Sequence, residues 1–172
     1  MNITFEKINK ANLEMAVFVQ NRIFPKESAR FIYTKSIEDP KFMKELDYYL
    51  VYLGDKMIGV TGIYSYYEYP EIAWLGWYGI LEEDRHNGYG AYVLDWTMEF
   101  AKYKGYKEFR LYTDQYAVSA HKLYKSRGLV PEAYTNPLDI KNNDIEIIIY
   151  SGSLTGDSFE LWNNKDLNLR AF

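Results

Sequence analysis

Arg85-His86-Asn87-Gly88-Tyr89-Gly90-Ala91 has the residue types and spacing to hold an anion. These residues follow an apolar and aromatic run that begins at Ile72, pass an acidic turn, and open a long helical pattern. The first N–H groups of a helix have no partner within it, and the aligned peptide dipoles leave partial positive charge at that end. Gly88 and Gly90 remove Cβ atoms where phosphates would approach the backbone, and both permit positive φ. Arg85 adds a full charge and a forked donor set. Strand, turn and helix would thus form a pyrophosphate seat. The same residues also suit a plain tight connection with Arg85 solvated, so at this level both readings stand.

Two familiar phosphate loops do not fit. No Lys followed by Ser or Thr comes after the glycines, which argues against a P-loop. Val93 stands where a third glycine would complete a dinucleotide fingerprint. The chain of 172 residues is long enough for one full core, and its 48% apolar and 26% charged residues are those of an ordinary globular protein. With no cysteine there is no Cys nucleophile, disulfide framework or thiolate metal site, and no metal is expected. No apolar run reaches the ~20 residues of a membrane helix, and the charged N-terminus lacks a signal-peptide core, so the expectation is a cytoplasmic protein without membrane contact. The net charge of −4 is uneven. Residues 1–84 carry nine Lys/Arg and thirteen Asp/Glu, residues 85–130 eight and four, and residues 131–172 three and seven. This basic excess fits one small phosphorylated ligand, whereas nucleic acid would want a broader basic surface.

The elements needed to position the loop can be read in order. Asn2 to Ile8 alternates and predicts a strand. Asn9 or Asn12 caps a helix that ends at Phe24-Pro25, and residues 26–46 suit one or two short helices. Tyr48–Leu53, Met57–Tyr67 and Glu71–Leu81 predict three antiparallel strands, the first two joined by a hairpin at Gly54-Asp55-Lys56. Gly59, Gly62, Gly76 and Gly79 within these runs point to bulges or close approach of another backbone. On the third strand Trp74, Gly76 and Tyr78 would share one face. From Gly88 an apolar helical face (Tyr89, Val93, Trp96, Phe100, Tyr103) runs to Gly105. Then come a strand at Phe109–Thr113, a helix at Val118–Arg127 and an apolar strand at Asp144–Tyr150. The helix between the strands near Leu75 and Leu111 reads as a βαβ crossover. The expected class is α/β in the α+β sense: a mixed, mostly antiparallel sheet with one parallel pair, flanked by helices. Residues 1–150 form one domain, and residues 151–172 form a C-terminal extension. Phe159, Leu161, Trp162, Leu167, Leu169 and Phe172 can dock that extension on the domain or on a partner subunit of a homodimer.

So arranged, the chain resembles the GNAT superfamily of acyl-CoA-dependent N-acetyltransferases. Arg85-His86-Asn87-Gly88-Tyr89-Gly90 is similar to that family's pyrophosphate loop, and Ala120-His121-Lys122-Leu123-Tyr124-Lys125-Ser126-Arg127-Gly128-Leu129 to its second signature. The resemblance covers roughly residues 46–150. It implies that the parallel pair is splayed, and it implies acetyl-CoA as co-substrate, bound by the backbone of Ile80 and by Arg85, His86, Asn87, Gly88, Tyr89, Gly90 and Ala91. It also implies direct transfer to a primary amine of a small molecule or peptide, an oxyanion held by an N–H near Trp77–Ile80, and Tyr124 as general acid for the thiolate. Ala117, Glu82 and His86 depart from residues frequent in the family. A general base is not identified: Glu68, Glu71, Asp114 and a water chain are all open. Two alternatives accompany this reading, a non-catalytic CoA-binding sensor or scaffold and an acyltransferase with another donor or acceptor. Tyr64, Tyr66, Tyr67, Tyr69, Trp74, Trp77 and Tyr78 can line an acceptor pocket, although alternation turns about half of them into the core.

Overall fold

A computed structural model describes residues 2–134 and 145–162. The order is β1 (Ile3–Lys7), α1 (Leu13–Ile23), α2 (Arg30–Glu38), β2 (Glu45–Leu53), β3 (Lys56–Ser65), β4 (Ile72–Leu75), β5 (Gly79–Ile80), α3 (Tyr89–Tyr103), β6 (Glu108–Asp114), α4 (Val118–Ser126), β7 (Val130–Tyr134) and β8 (Ile147–Ser153). One mixed sheet runs β1-β2-β3-β4-β6-β8-β7, with β5 paired to β3. Among the described residues the β4–β6 pair is parallel and the other pairs are antiparallel.

Local sequence explains the frame. Leu53 pairs with Lys56 across Gly54-Asp55, and Gly54 takes φ 58°, the left-handed region a two-residue hairpin turn requires. Helix α1 buries Ala16, Val17, Val19 and Gln20, a helical stripe, and stops where Pro25 restricts Phe24 to extended backbone. Helix α3 buries Val93, Leu94, Thr97 and Ala101. Inside that stripe Thr97 bonds Thr61 of β3 at 2.7 Å, which pins the helix to the sheet. Three apolar clusters result, the smallest of them Ile3, Val51, Ile58, Ile80 and Val93 near the start of α3. Tyr33, Met43, Tyr48, Leu50, Tyr66, Trp74 and Trp162 pack on the α1–α2 face, while Leu94, Ala101, Phe109, Leu111, Tyr124 and Tyr150 pack on the α3–α4 face.

Several expectations change. The third strand is broken: Gly76-Trp77-Tyr78 separates β4 from β5. Trp74 and Tyr78 therefore do not share a face, since Trp74 enters the α1–α2 core and Tyr78 packs toward α3. Residues 26–46 hold one helix among the described elements, within the one or two expected, and Asn12 caps α1 as one of the two candidates, though without a side-chain hydrogen bond, its Oδ1 taking the N–H of Asn9 instead. Tyr103, expected on the apolar face of α3, is 87% exposed. Strand β7, which contains Pro131, was not anticipated. Among the described residues it pairs with β8 alone, and an edge strand tolerates a proline. The last strand runs from Ile147 through Ser153, so the extension's first residues belong to β8. Asp144, Leu167, Leu169 and Phe172 lie outside the described residues. Trp162 is fully buried, edge-on to Trp74 at 5.1 Å between centroids. No described helix is long and apolar enough to cross a membrane.

Candidate active site

The break in the third strand is a bulge. Ile63 pairs with Leu75 and Val60 with Gly79, so three residues, Gly76–Tyr78, oppose two, Thr61 and Gly62. The N–H of Gly76 donates to Gly62 O at 2.8 Å. The extra residue bends the strand and turns β5 away. Parallel pairing with β6 ends at Trp74–Arg110, yet β6 continues to Asp114, held on its other side by β8. A gap therefore opens between the break and residues 111–114, the splay that the resemblance implied.

At the far end of β5 the loop follows. Residues 82–84 make one 3-10 turn, His86 takes φ 64° and Gly88 φ 80°, and α3 begins at Tyr89 with Gly88 as its N-cap. Asn87 Nδ2 donates to the carbonyls of Asp84 and Arg85 at 3.2 and 3.0 Å, closing the turn on itself. Arg85 Nε donates to Ile80 O at 2.9 Å, so this side chain ties the loop to the strand as well as carrying charge. A Cβ at Gly88 would meet open space, and one at Gly90 would lie 3.3 Å from Tyr78 Oη. Tyr89, Gly90 and Ala91 form the first turn, whose N–H groups have no partner in the helix. The structure thus brings the buried Ile80 and residues 85–91, exposed at 85–88 and half-buried at 89–91, to one corner. Asp84 behind it pairs with Lys56 at 2.7 Å.

Tyr78 was not singled out for this corner, and nothing in its spacing marks it. Its hydroxyl donates to Gly90 O at 2.6 Å, fixing the first turn of α3 against the bulge. The Tyr124 phenol is close enough to act on it electrostatically. Tyr124 sits on α4, 5% exposed, with its ring 5.2 Å from that of Tyr150. Burial pushes its phenol well above the usual tyrosine range, so it stays protonated. His121, one turn earlier, holds Tyr150: Nδ1 lies 2.5 Å from Tyr150 Oη and Nε2 2.8 Å from Asp114 O. The carbonyl oxygen can only accept, so Nε2 is the donor in that contact.

On the opposite face of the break lies a layer of rings. Tyr33 and Tyr48 meet at 5.2 Å, Tyr64 and Tyr66 at 5.7 Å, and Tyr66 and Trp74 at 5.9 Å between centroids. A Cβ on Gly62 would lie 2.4 Å from Tyr48 Cδ1, and one on Gly76 2.7 Å from Tyr48 Oη. Both glycines therefore admit the Tyr48 ring; at Gly62 backbone also comes close, Asp47 O at 2.6 Å, as the sequence led us to expect, and at Gly59 the nearest neighbour is backbone, Gly79 O.

The profile of the acetyltransferase (GNAT) family matches residues 15–129. The chain belongs to that family. Among curated proteins none matches the sequence. Solved GNAT structures share the fold. The ribosomal-protein-S18-alanine N-acetyltransferase of Escherichia coli is 14% identical, with 93% of this chain and 99% of that one covered at a TM-score of 0.71. The spermidine N-acetyltransferase of Vibrio cholerae, in complex with CoA and spermine, is 15% identical over 90% and 96% at 0.70. A GNAT acetyltransferase of Elizabethkingia anophelis with acetyl-CoA bound is 19% identical over 88% and 98% at 0.66. At these identities the likeness shows the fold alone.

Within this GNAT chain the candidate carboxylates separate. Glu71 precedes β4 and pairs with Lys107 at 2.9 Å. Four residues of extended chain, Ile72–Leu75, lie between it and Gly76, a separation of about 16 Å. Glu68 is exposed on the turn before it. Asp114 ends β6, and its Oδ1 accepts the N–H of Tyr116 at 2.8 Å.

Proposed function

We propose that this chain is an N-acetyltransferase that moves an acetyl group from acetyl-CoA to a primary amine of a small molecule or peptide, directly, within a ternary complex. The observation that carries the reading is the junction itself. A strand bulge opens a gap beside β6, an uncapped helix N-terminus sits at one end of the gap, and a buried phenol lies on the same face of the sheet. Open space beside Gly88 and the left-handed turns at His86 and Gly88 suit the close approach of a pyrophosphate. In this reading the N–H groups of Gly88, Tyr89, Gly90 and Ala91 receive the phosphate oxygens, and the guanidinium of Arg85 adds charge from its seat on Ile80 O. His86 and Asn87 shape the turn, and the backbone at Ile80 bonds the pantetheine arm as an added strand would. A neutral amine attacks the thioester carbon and forms the N–C bond. The developing oxyanion lies near the backbone of Trp77–Ile80. The C–S bond then breaks, Tyr124 gives its proton to the departing sulfur, and the nitrogen's proton leaves to solvent.

The two amine-acetylating relatives above have acceptors in their names, a protein alanine and spermidine, and both classes fit a primary amine. The protein acts in the cytoplasm under this proposal. Its test is kinetic. Tyr124→Phe keeps the acetyl-CoA affinity of the wild type while kcat falls; undiminished turnover removes Tyr124 from the step. Saturable acetyl-CoA binding with no acetylation of any amine supports the sensor reading instead.

A further inference from the structure

Resting on that reading, we infer that Tyr48 is the residue that receives the acceptor amine. Its hydroxyl accepts a hydrogen bond from the attacking nitrogen at the strand break and so aims the lone pair at the thioester.

Four observations converge on it. The ring lies across β3, in the groove that Gly62 leaves, and ends over Gly76, where an added Cβ would touch Oη at 2.7 Å. The hydroxyl is therefore delivered to the bulge, on the α1–α2 face. The thioester-side elements, Tyr78 and Tyr124, occupy the other face, so nucleophile and leaving group would approach the gap from opposite sides. Second, the parallel register pairs Trp74 with Arg110; continued two residues across the gap it sets Gly76 opposite Tyr112. Tyr112 is 37% exposed, whereas Tyr48 is 2% exposed, so the gap has a half-open wall on β6 and a buried floor. Third, the floor holds orphan polar atoms: Tyr33 Oη and Trp74 Nε1 are buried with no hydrogen-bond partner. Buried polar atoms are nearly always bonded, and a polar acceptor entering here would serve them. Fourth, of the carboxylates weighed for the reaction, Glu68 and Glu71 lie at the wrong end of β4, and Asp114, two residues beyond Tyr112 on β6, has Oδ1 engaged by the N–H of Tyr116, so the titratable neighbour of Gly76 itself is the Tyr48 phenol.

The chemistry suits the task. Burial pushes the phenol of Tyr48 far above its usual range, with Tyr33, Tyr112 and Tyr66 adding to it, so the group is neutral throughout the working pH range. A neutral hydroxyl has lone pairs to accept an amine N–H and a proton to donate in turn. It takes no proton in the reaction. Tyr48 is thus a contact that fixes the nitrogen, selecting primary amines small enough at the nitrogen to reach a floor of rings.

Tyr48→Phe tests this, since the ring that fills the space over Gly62 and Gly76 is kept. Thiol release from acetyl-CoA is read with phenethylamine, spermidine and a short peptide with a free N-terminus, and the amine that the wild type acetylates fastest is carried forward. The expected result is a fall of about tenfold to a hundredfold in kcat/KM for the amine, from loss of one buried hydrogen bond. The KM for acetyl-CoA and the rise in melting midpoint with acetyl-CoA should not change. A kcat/KM within twofold of wild type overturns the assignment, as does loss of the acetyl-CoA response. If the wild type acetylates none of the three, the affinity of phenethylamine joined to CoA through an acetyl bridge is compared. Weakening by at least about tenfold in the variant supports Tyr48, and equal affinity overturns it. A wild type that fails to bind acetyl-CoA contradicts the reading beneath the inference, and the two failures are told apart.

Discussion

The loop at residues 85–91 is exposed at 85–88 and half-buried at 89–91, is built on glycines, and offers backbone N–H groups. The layer on the other face of the sheet is buried, built on the rings of Tyr33, Tyr48, Tyr64, Tyr66, Trp74 and Trp162, and carries its polarity at side-chain tips. They meet at a three-residue bulge. A backbone site depends on where a helix begins and tolerates many side chains around it. A side-chain site depends on which rings the sheet brings together, so a single hydroxyl can decide what enters. The shared part of the reaction would thus sit on backbone, and the part specific to this chain on tyrosines.

The largest effect should come from the ring layer. Trp162→Ala removes a fully buried indole packed on Trp74 and set over the buried Arg110 guanidinium at 5.3 Å. A loss of about 3–5 kcal/mol is expected, read by chemical denaturation; a change within about 0.5 kcal/mol, the usual range of surface substitutions, would mean that the layer does not depend on the extension. Next comes Tyr124→Phe, which should lower kcat by roughly a hundredfold or more if the phenol is the general acid. Gly88→Val forces a branched side chain to φ 80° at the helix cap, at a cost of about 1–2 kcal/mol. Acetyl-CoA affinity should fall by about tenfold as that turn shifts; full affinity would show that the loop's shape is not what binds. The smallest effect lies away from both halves, in the clamp between β2 and α3. Asp47 meets Lys7 at 3.0 Å and Lys104 at 3.4 Å. Burial pushes its carboxyl up, but its hydrogen bond with Glu45 and the two ammonium groups outweigh this and hold it below the usual range. Its stabilisation is present above the unfolded value of about 3.9 and is lost as pH falls through the lower folded value. Asp47→Asn should cost about 1–2 kcal/mol at pH 7 and flatten the acid limb of the stability curve, with acetyl-CoA binding unchanged.

The same contrast explains what could be read from the chain. The loop was legible because a helix start announces itself locally: Gly88, Gly90 and the shift to helical period all lie within a few residues. The βαβ crossover was legible for the same reason. The bulge was half legible. Gly76 and Gly79 marked an irregular strand, but the one-residue excess appears only when β4 and β5 are set against β3, and that excess is what separates Trp74 from Tyr78. Tyr48 was hidden because its meaning rests on two glycines, Gly62 and Gly76, that are 14 and 28 residues away and adjacent only in the sheet. Had the pair been read as space for a ring, alternation along β2 would have offered Tyr48. Tyr78 and the His121–Tyr150 bond had no local signal, since each joins elements whose distance the topology sets. Strand β7 was not read from the sequence at all, and the proline within it is one that an edge position tolerates.

One titration bears most directly on the central claim that this junction binds a CoA thioester. Acetyl-CoA, and separately pantetheine, is added to the wild-type protein while the melting midpoint is followed, because a ligand held only by the folded state must raise it. The account predicts a saturable rise with acetyl-CoA that Gly88→Val diminishes, and little response to pantetheine, which lacks the pyrophosphate. No rise at saturating acetyl-CoA, or an equal rise with pantetheine, would contradict the assignment of residues 85–91 as its seat.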